Sequence, residues 1–154
     1  MRIFIFVFSL VVTLTSAIAQ ERQWTLDASE KEAFLVFGVA QTDDVGLSFW
    51  CEIGKPKISI FANVPHAHVK KDGRIHIELK IDDDVFKIIA MSSTAAKSGD
   101  VSVEAPVAID GTVMKAMSKA ERISITALDH TNNFPLVDAD INGLLRVCSG
   151  DFSN

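Results

Sequence analysis

The stretch RIHIELKIDDDVFKIIAM, residues 74–91, decides the class of fold. Its first half alternates apolar and polar side chains, which is the two-residue period of a strand with one buried face. Asp82, Asp83 and Asp84 interrupt this pattern, and strand character resumes at Val85. We interpret the three aspartates as a solvated turn between two strands rather than as an acid–base pair. The stretch therefore predicts a mainly β protein.

Similar alternation predicts further strands elsewhere in the chain. They cover residues 45–53, 57–64, 101–109 and 122–128. Pro106 cannot donate a backbone hydrogen bond, so the strand that contains it is expected to be broken or to lie at an edge. The segment 27–39 fits a short helix or a strand equally well, and DHTNN at residues 129–133 reads as a polar turn that exposes His130.

Two other segments have the apolar spacing of helices. The first spans 110–121, with Asp110 or Thr112 as its cap. The second has Asp138 as its expected cap and carries Cys148 near its end. The expected architecture is mainly β (α+β). It is an antiparallel β sandwich or curved sheet with two short helices, the last of them C-terminal.

The N-terminus has the three parts of a secretory signal. Arg2 precedes an apolar run over residues 3–14, and Ala17 and Ala19 supply the small residues of a cleavage site. We expect residues 1–19 to be removed and residues 20–154 to form a single globular domain. An uncleaved anchor is disfavoured because the run is shorter than the ~20 residues of a membrane helix. The predicted location is periplasmic or secreted, in a bacterium, with no later membrane span.

Two cysteines, Cys51 and Cys148, remain after that cleavage. In an oxidising compartment an even, minimal count predicts one structural disulfide between the last helix and an early strand. The formal net charge of −5 offers no basic surface for nucleic acid. Recognisable catalytic motifs are absent from the sequence, so an enzyme is not the favoured interpretation.

Three of the four histidines lie in PHAHVKKDGRIHIEL, residues 65–79. A three-residue loop over 71–73 would pair His68 with His76 and His66 with Glu78. Opposed Cβ atoms in such a pair lie about 5 Å apart, and imidazole with carboxylate suits zinc or copper. The sequence therefore raises the hypothesis of a metal site on one face of a hairpin.

A second interpretation of the same residues requires no cofactor. Ile58 and Ile60 share parity with the first two histidines, and Pro65 interrupts the strand. Residues 65–73 are then a long loop, and His76 and Glu78 face solvent alone. This interpretation is favoured over the metal site.

The segment DADING resembles the start of a calcium-binding loop. Asp138, Asp140, Asn142 and Gly143 occupy the first, third, fifth and sixth positions of an EF-hand pattern. Ser149 stands where that pattern requires a bidentate glutamate. A helix N-terminus, where acidic residues are favourable, is the preferred interpretation.

The C-terminal run MKAMSKAERISITALDHTNNFPLVDADINGLLRVC, residues 114–148, resembles the ending of small exported bacterial β proteins. These are the invasion-associated locus B family and the type VI secretion-associated proteins of the VasI kind. Trp24 and the LSFWCE strand with Cys51 are similar to the same pattern. The resemblance implies an accessory role in the periplasm or outside the cell, without a defined catalytic site.

The expected function is an exported, non-enzymatic accessory module that binds a protein or another component of the cell envelope. A small periplasmic zinc- or copper-binding protein is the first alternative. A hydrolase without recognisable motifs is the second.

Overall fold

The computed structural model describes residues 21–64, 73–94 and 101–151. Within these residues the chain forms nine strands and two helices. In chain order they are β1 (Gln23–Ala28), β2 (Glu32–Gly38), β3 (Val45–Glu52), β4 (Lys57–Val64), β5 (Gly73–Ile81), β6 (Asp84–Thr94), β7 (Val101–Ala108), α1 (Thr112–Met117), β8 (Arg122–Ala127), β9 (His130–Pro135) and α2 (Ile141–Ser149).

The strands form one antiparallel sheet in the order β1-β2-β3-β4-β7-β6-β5-β8-β9. The sheet curls into a half-barrel, which confirms the predicted mainly β class with two short helices. Residues 74–91 form the β5–β6 pair, with Ile77 opposite Ile88 and Ile81 opposite Asp84. The alternation that predicted these strands is the alternation between the concave, apolar face and the outer face.

The core fills the concave side of the curled sheet. Its largest wholly buried side chains come from six strands and both helices: Leu35, Leu47, Phe49, Ile58, Ile60, Leu79, Ile81, Val101, Met114, Met117, Ile123 and Leu144. Helix α2 packs against β2 and β1. Cys148 on α2 is bonded to Cys51 on β3, with the two Cα atoms 5.9 Å apart, so the predicted disulfide is confirmed.

Strand β7 is continuous and lies between β4 and β6, so as a whole it is neither the broken strand nor the edge strand that Pro106 predicted. Its pairing with β6 covers only residues 101–104, whereas its pairing with β4 extends to Ala108. At Pro106 the strand therefore has β4 as its one neighbour. Because β6 does not pair there, the lack of a backbone N–H in proline breaks no hydrogen bond to β6. The sheet splays from this point, and α1 follows with Val113, Met114 and Met117 buried.

The two ends of the sheet are joined through side chains. The indole N–H of Trp24 on β1 donates to the carbonyl oxygen of Pro135 on β9, at 2.8 Å. The Trp24 ring lies 5.2 Å from that of Phe37 and 5.9 Å from that of Phe49, and Phe37 meets Phe134 of β9 edge-on at 6.1 Å. This aromatic cluster closes the open side of the half-barrel.

Three segments differ from the sequence-based expectation. Residues 27–39, left open between helix and strand, contain β2. The predicted polar turn at 129–133 is mostly β9, because the turn consists of Leu128 and Asp129; His130 is half-buried and lies 3.1 Å from Asn132 Oδ1. Helix α1 has Gly111 as its N-cap, without a side-chain cap bond, in place of Asp110 or Thr112.

The β5–β6 turn is held by a carboxylate. Asp82 adopts a left-handed backbone conformation, with φ +48°. Its side chain accepts hydrogen bonds from the backbone N–H groups of Glu121 and Arg122 at 3.2–3.3 Å. The turn is thereby fixed to the start of β8, which is the other neighbour of β5.

We expect Asp82→Ala to lower the free energy of unfolding by about 2 kcal/mol. The change removes a charged acceptor from two backbone donors and places alanine in a conformation that aspartate tolerates better. Asp82→Asn keeps an acceptor and should cost less than about 1 kcal/mol. Urea denaturation measures both, with the exposed Asp83→Ala as the control; equal losses for Asp82→Ala and Asp83→Ala would contradict this account.

Candidate functional site

A preformed cleft lies on the outer face of β1 and β2, with a volume of about 430 Å³. Edge strand β1, strand β2, the loop between β2 and β3, and the start of β3 line it. The lining residues are Gln23, Thr25, Asp27, Phe34, Val36, Gly38, Val39, Ala40, Gln41, Thr42 and Val45.

The floor of the cleft is apolar although it faces outward. Phe34 and Val36 alternate along β2 with the buried Ala33 and Leu35, so their side chains point away from the core. The Phe34 side chain is 38% exposed. A large apolar side chain on the solvent face of a strand, inside a cleft, is typical of a binding surface.

The loop over residues 39–44 forms one wall of the cleft. The N–H of Val39 donates to the carbonyl of Asp44 at 3.0 Å, and the Thr42 hydroxyl donates to the carbonyl of Val39 at 2.9 Å. Gly38 allows this turn, because a Cβ atom there would overlap the Asp44 carbonyl oxygen. The loop therefore has a defined shape before any ligand binds.

A salt bridge anchors the same loop to the chain just before β1. The Arg22 guanidinium donates to both carboxylate oxygens of Asp44, with Nε 3.1 Å from Oδ2. The hydrogen bond to Asp44 raises the pKa of Arg22, so the guanidinium keeps its charge. About half of each side chain is exposed, so the bridge orients the wall more than it stabilises the fold.

The rim of the cleft is polar. Asp27 is the one charged residue among those that line it, and Gln23, Thr25, Gln41 and Thr42 add hydrogen-bonding groups. The arrangement suits an apolar side chain on the floor with a cation beside Asp27.

The residues of the predicted metal site are only partly described. His66 and His68 lie outside the described residues, whereas His76 and Glu78 are on the outer face of β5, exposed and half-buried respectively. Within residues 21–64, 73–94 and 101–151, no three His, Cys, Asp or Glu side chains are grouped so as to hold a metal ion. The zinc or copper site, which needs all four residues, stays a prediction.

Of the two pairings behind that hypothesis, the one of His66 with Glu78 disagrees with the sheet, whereas the one of His68 with His76 stays a prediction because residue 68 lies outside the described residues. Strand β5 is separated from β4 by β7 and β6, so the two consecutive strands do not pair. Glu78 has Lys87 on one side and Thr126 on the other, which leaves no backbone position for residue 66.

The DADING segment begins helix α2. The carboxylate of Asp140 accepts a hydrogen bond from the N–H of Gly143 at 2.8 Å, which caps the helix. Asp140, and not Asp138, is therefore the N-cap residue. A Cβ atom at Gly143 would overlap the Asp140 carboxylate, so this glycine makes room for the cap. The preferred helix-terminus interpretation of the acidic residues is thus supported by a direct contact.

The fold is that of a disulfide-linked, mainly β protein with an open cleft on the outer face of β1 and β2. Among the described residues no helix is long and apolar enough to cross a membrane. Comparisons with protein-family models, with curated proteins and with solved structures give no match. The resemblance of the C-terminal run to exported bacterial β proteins remains a prediction.

The residues of the cleft were not among the candidates from the sequence. One signal for them was present in EAFLVFG, residues 32–38, where five consecutive apolar residues cannot all face one core. In a strand with only one buried face, every second side chain of such a run lies on the outer surface, as Phe34 and Val36 do here. Strand β1 and the loop at 39–44 carried no comparable signal.

Proposed function

We propose that this protein is an exported binding module of the bacterial cell envelope and that the β1–β2 cleft is its ligand site. The observation that carries the proposal is the exposed phenyl ring of Phe34 on the floor of a cleft whose loop wall is already ordered. The buried disulfide between Cys51 and Cys148 supports an oxidising, extracytoplasmic location.

The ligand is an extended segment of a partner protein that presents an apolar side chain next to a basic one. The apolar side chain covers Phe34 and Val36, and the basic side chain lies beside Asp27. A polypeptide fits better than a free small molecule, because small-molecule sites bury most of the ligand. The partly exposed Phe34 indicates a cleft that covers a ligand from one side only.

A peptide selection tests this proposal. We expect peptides selected from a random library on the oxidised protein to share an apolar residue near a lysine or arginine. Phe34→Asp should weaken their binding about tenfold to a hundredfold, because burial of an aromatic side chain contributes about 1.5–3 kcal/mol. Fluorescence polarisation with labelled peptides measures the dissociation constants.

The matched control is Val85→Asp, which also places a charge on an exposed apolar position of the outer face, on β6. It should leave peptide binding unchanged. On the Asp27→Lys variant, the selected peptides should carry an acidic residue, instead of a basic one, next to the apolar residue. The proposal fails if no peptide is enriched, or if the selected peptides bind the Phe34→Asp and wild-type proteins equally.

A further inference from the structure

Strand β1 is an edge strand of the sheet, and it also forms one side of the β1–β2 cleft. It pairs with β2 in an unbroken register from Gln23 to Ala28. The backbone N–H and C=O groups on the outer flank of an edge strand have no partner in their own sheet. The outer flank of β1, which we call its free edge, therefore presents hydrogen-bonding groups directly beside the cleft.

The hydrogen bonds of the β1–β2 turn show which residues face the free edge. The N–H of Ser29 donates to the carbonyl of Glu32 at 2.9 Å, so these residues form a hydrogen-bonded pair. In an antiparallel ladder such pairs alternate with pairs that exchange no hydrogen bond. Along the register of β1 and β2, the backbone groups of Asp27 therefore point to β2, whereas those of Leu26 and Ala28 point to the free edge.

A hydrogen bond on the other flank of β2 leads to the same assignment. The N–H of Ile53 donates to the carbonyl of Lys31 at 2.8 Å, so every second residue from Lys31 bonds to β3, including Ala33 and Leu35. Phe34 lies between these two and bonds to β1, where Asp27 is its partner in the register.

The open part of the free edge runs over Leu26 and Ala28. Among the described residues, none forms a backbone hydrogen bond with these two on the outer flank. At the start of the strand the Trp24 indole reaches Pro135 on β9, so the open part begins after Trp24. Strand β1 also contains neither proline nor lysine, which often protect an edge from another strand.

The opposite edge of the sheet, on β9, has such protection. The N–H of Leu136 donates to the carbonyl of Glu121 at 2.7 Å, so the same alternation places the backbone groups of Pro135 on the outer flank of β9. Proline has no N–H to donate there, and its carbonyl already accepts the Trp24 indole N–H. Of the two edges, the one beside the cleft is therefore the one suited to accept a strand.

From this difference we propose that the partner segment binds as an added β-strand along the free edge of β1. The inference rests on the proposed function of the cleft and states how the main chain of the ligand is held. The N–H and C=O groups of an extended peptide complement those of Leu26 and Ala28. Every second side chain of the added strand then lies on the outer face, beside Thr25 and Asp27 of the cleft.

Asp27 favours a basic residue on the added strand. Opposed side chains on neighbouring strands have Cβ atoms about 5 Å apart, where opposite charges attract and like charges repel. A second copy of the chain fits less well, because β1 has no basic residue to place opposite Asp27. Arg22, just before β1, is already bonded to Asp44. The formal charge of −5 on each chain also opposes self-association.

Backbone methylation of the ligand tests strand addition without any change to the protein. A labelled peptide selected on the oxidised protein is resynthesised with one N-methyl group at each position in turn. Binding should weaken about fivefold or more at every second position, where a hydrogen bond to β1 is lost, and less than about twofold at the positions between. Fluorescence polarisation measures the dissociation constants.

Amide hydrogen exchange by NMR locates the contact on the protein. Saturating peptide should slow exchange of the Leu26 and Ala28 amides at least about tenfold, because they gain acceptors. The amides of Thr25 and Asp27 are the matched control: they are already bonded to β2 and should change much less.

Each of three results would overturn strand addition. The first is a methylation series without a two-residue period, and the second is unchanged exchange at Leu26 and Ala28 in the complex. In both cases the peptides still bind and still depend on Phe34, so the cleft proposal stands. The third is protection of the same two amides by self-association without peptide, which would assign the edge to a second copy. If no peptide is enriched, the proposed function fails, and strand addition fails with it.

Discussion

Replacing Cys51 and Cys148 together by alanine should lower the free energy of unfolding by about 4 to 5 kcal/mol. The bond links positions 97 residues apart, and in the chain-entropy model a loop of this length restricts the unfolded chain by about that amount. Small domains have total stabilities of about 5 to 15 kcal/mol, so the variant should retain only part of its stability at 25 °C. Urea denaturation of the oxidised and variant proteins measures the difference.

The native contacts around the disulfide decide how much of the lost stability comes from the folded state and how much from the unfolded state. Both cysteines are buried, at 1% and 0% exposure. The carbonyl of Cys148 also accepts a hydrogen bond from the N–H of Gly54 at 2.8 Å. Because this contact and the packing of α2 on β2 remain, we expect the alanine variant to keep its fold and lose stability mainly through a less restricted unfolded state.

Two further measurements separate this explanation from simple loss of packing. The denaturant m-value should rise in the variant, because an unbridged unfolded chain exposes more surface. Wild-type protein unfolded and reduced before refolding in a reductant should match the alanine variant within about 1 kcal/mol. If the variant is as stable as the oxidised protein, the bond contributes nothing beyond the packing of α2.

The elements that the sequence predicted best are those with one apolar, buried face and one polar, exposed face. Strand β5 alternates without exception from Arg74 to Ile81, and its burial alternates in the same way. Helix α2 has one apolar stripe, with Ile141, Leu144 and Cys148 buried. In such elements the burial pattern is a local property of the chain, so periodicity alone predicts it.

The elements that the sequence did not predict depend on distant partners. Strand β9 begins with the run His130 to Asn133, whose polar residues predict a turn. The run forms a strand instead, because its outer side chains pair with those of β8. Ser124 donates to Asn133 at 2.6 Å, and the Thr126 and Thr131 hydroxyls lie 2.8 Å apart. Cross-strand pairs of this kind stabilise a strand only once its neighbour is in place.

The order of the strands was beyond local prediction for a similar reason. Strand β7 enters the sheet between β4 and β6, so it displaces β5 from the position beside β4 that a simple hairpin would give it. The sequence did not predict the cleft either. Its floor and its loop wall come from β1, β2 and the loop over 39–44, and which side of these elements faces outward is known only once the whole sheet has formed.

Trp24→Ala should lower the free energy of unfolding by about 3 kcal/mol or more. Truncation of a packed aromatic residue to alanine costs about 3 to 5 kcal/mol, and Trp24 is partly buried against the core. Its ring contacts Phe37 and Phe49, and its N–H reaches the Pro135 carbonyl. It therefore joins the first strand of the sheet to the last.

Trp50 provides the matched control for the hydrogen bond. Its indole N–H also has an acceptor, Glu32 Oε2 at 3.1 Å, but this is a side-chain carboxylate on the neighbouring strand β2. In Trp50→Phe, water can replace the indole at that carboxylate, so the loss should stay below about 0.5 kcal/mol. In Trp24→Phe, the contact between β1 and β9 itself is lost, and the cost should be about 1 to 1.5 kcal/mol.

Hydrogen exchange shows where the Trp24 contacts act. If the aromatic cluster closes the half-barrel, Trp24→Ala should accelerate amide exchange in β1 and β9 well before it does so in residues 77–81 of β5, which pair with both β6 and β8. A uniform acceleration across all strands would instead mean that Trp24 stabilises the core as a whole. Unchanged exchange in β9 would show that the bond to Pro135 does not hold the two ends of the sheet together.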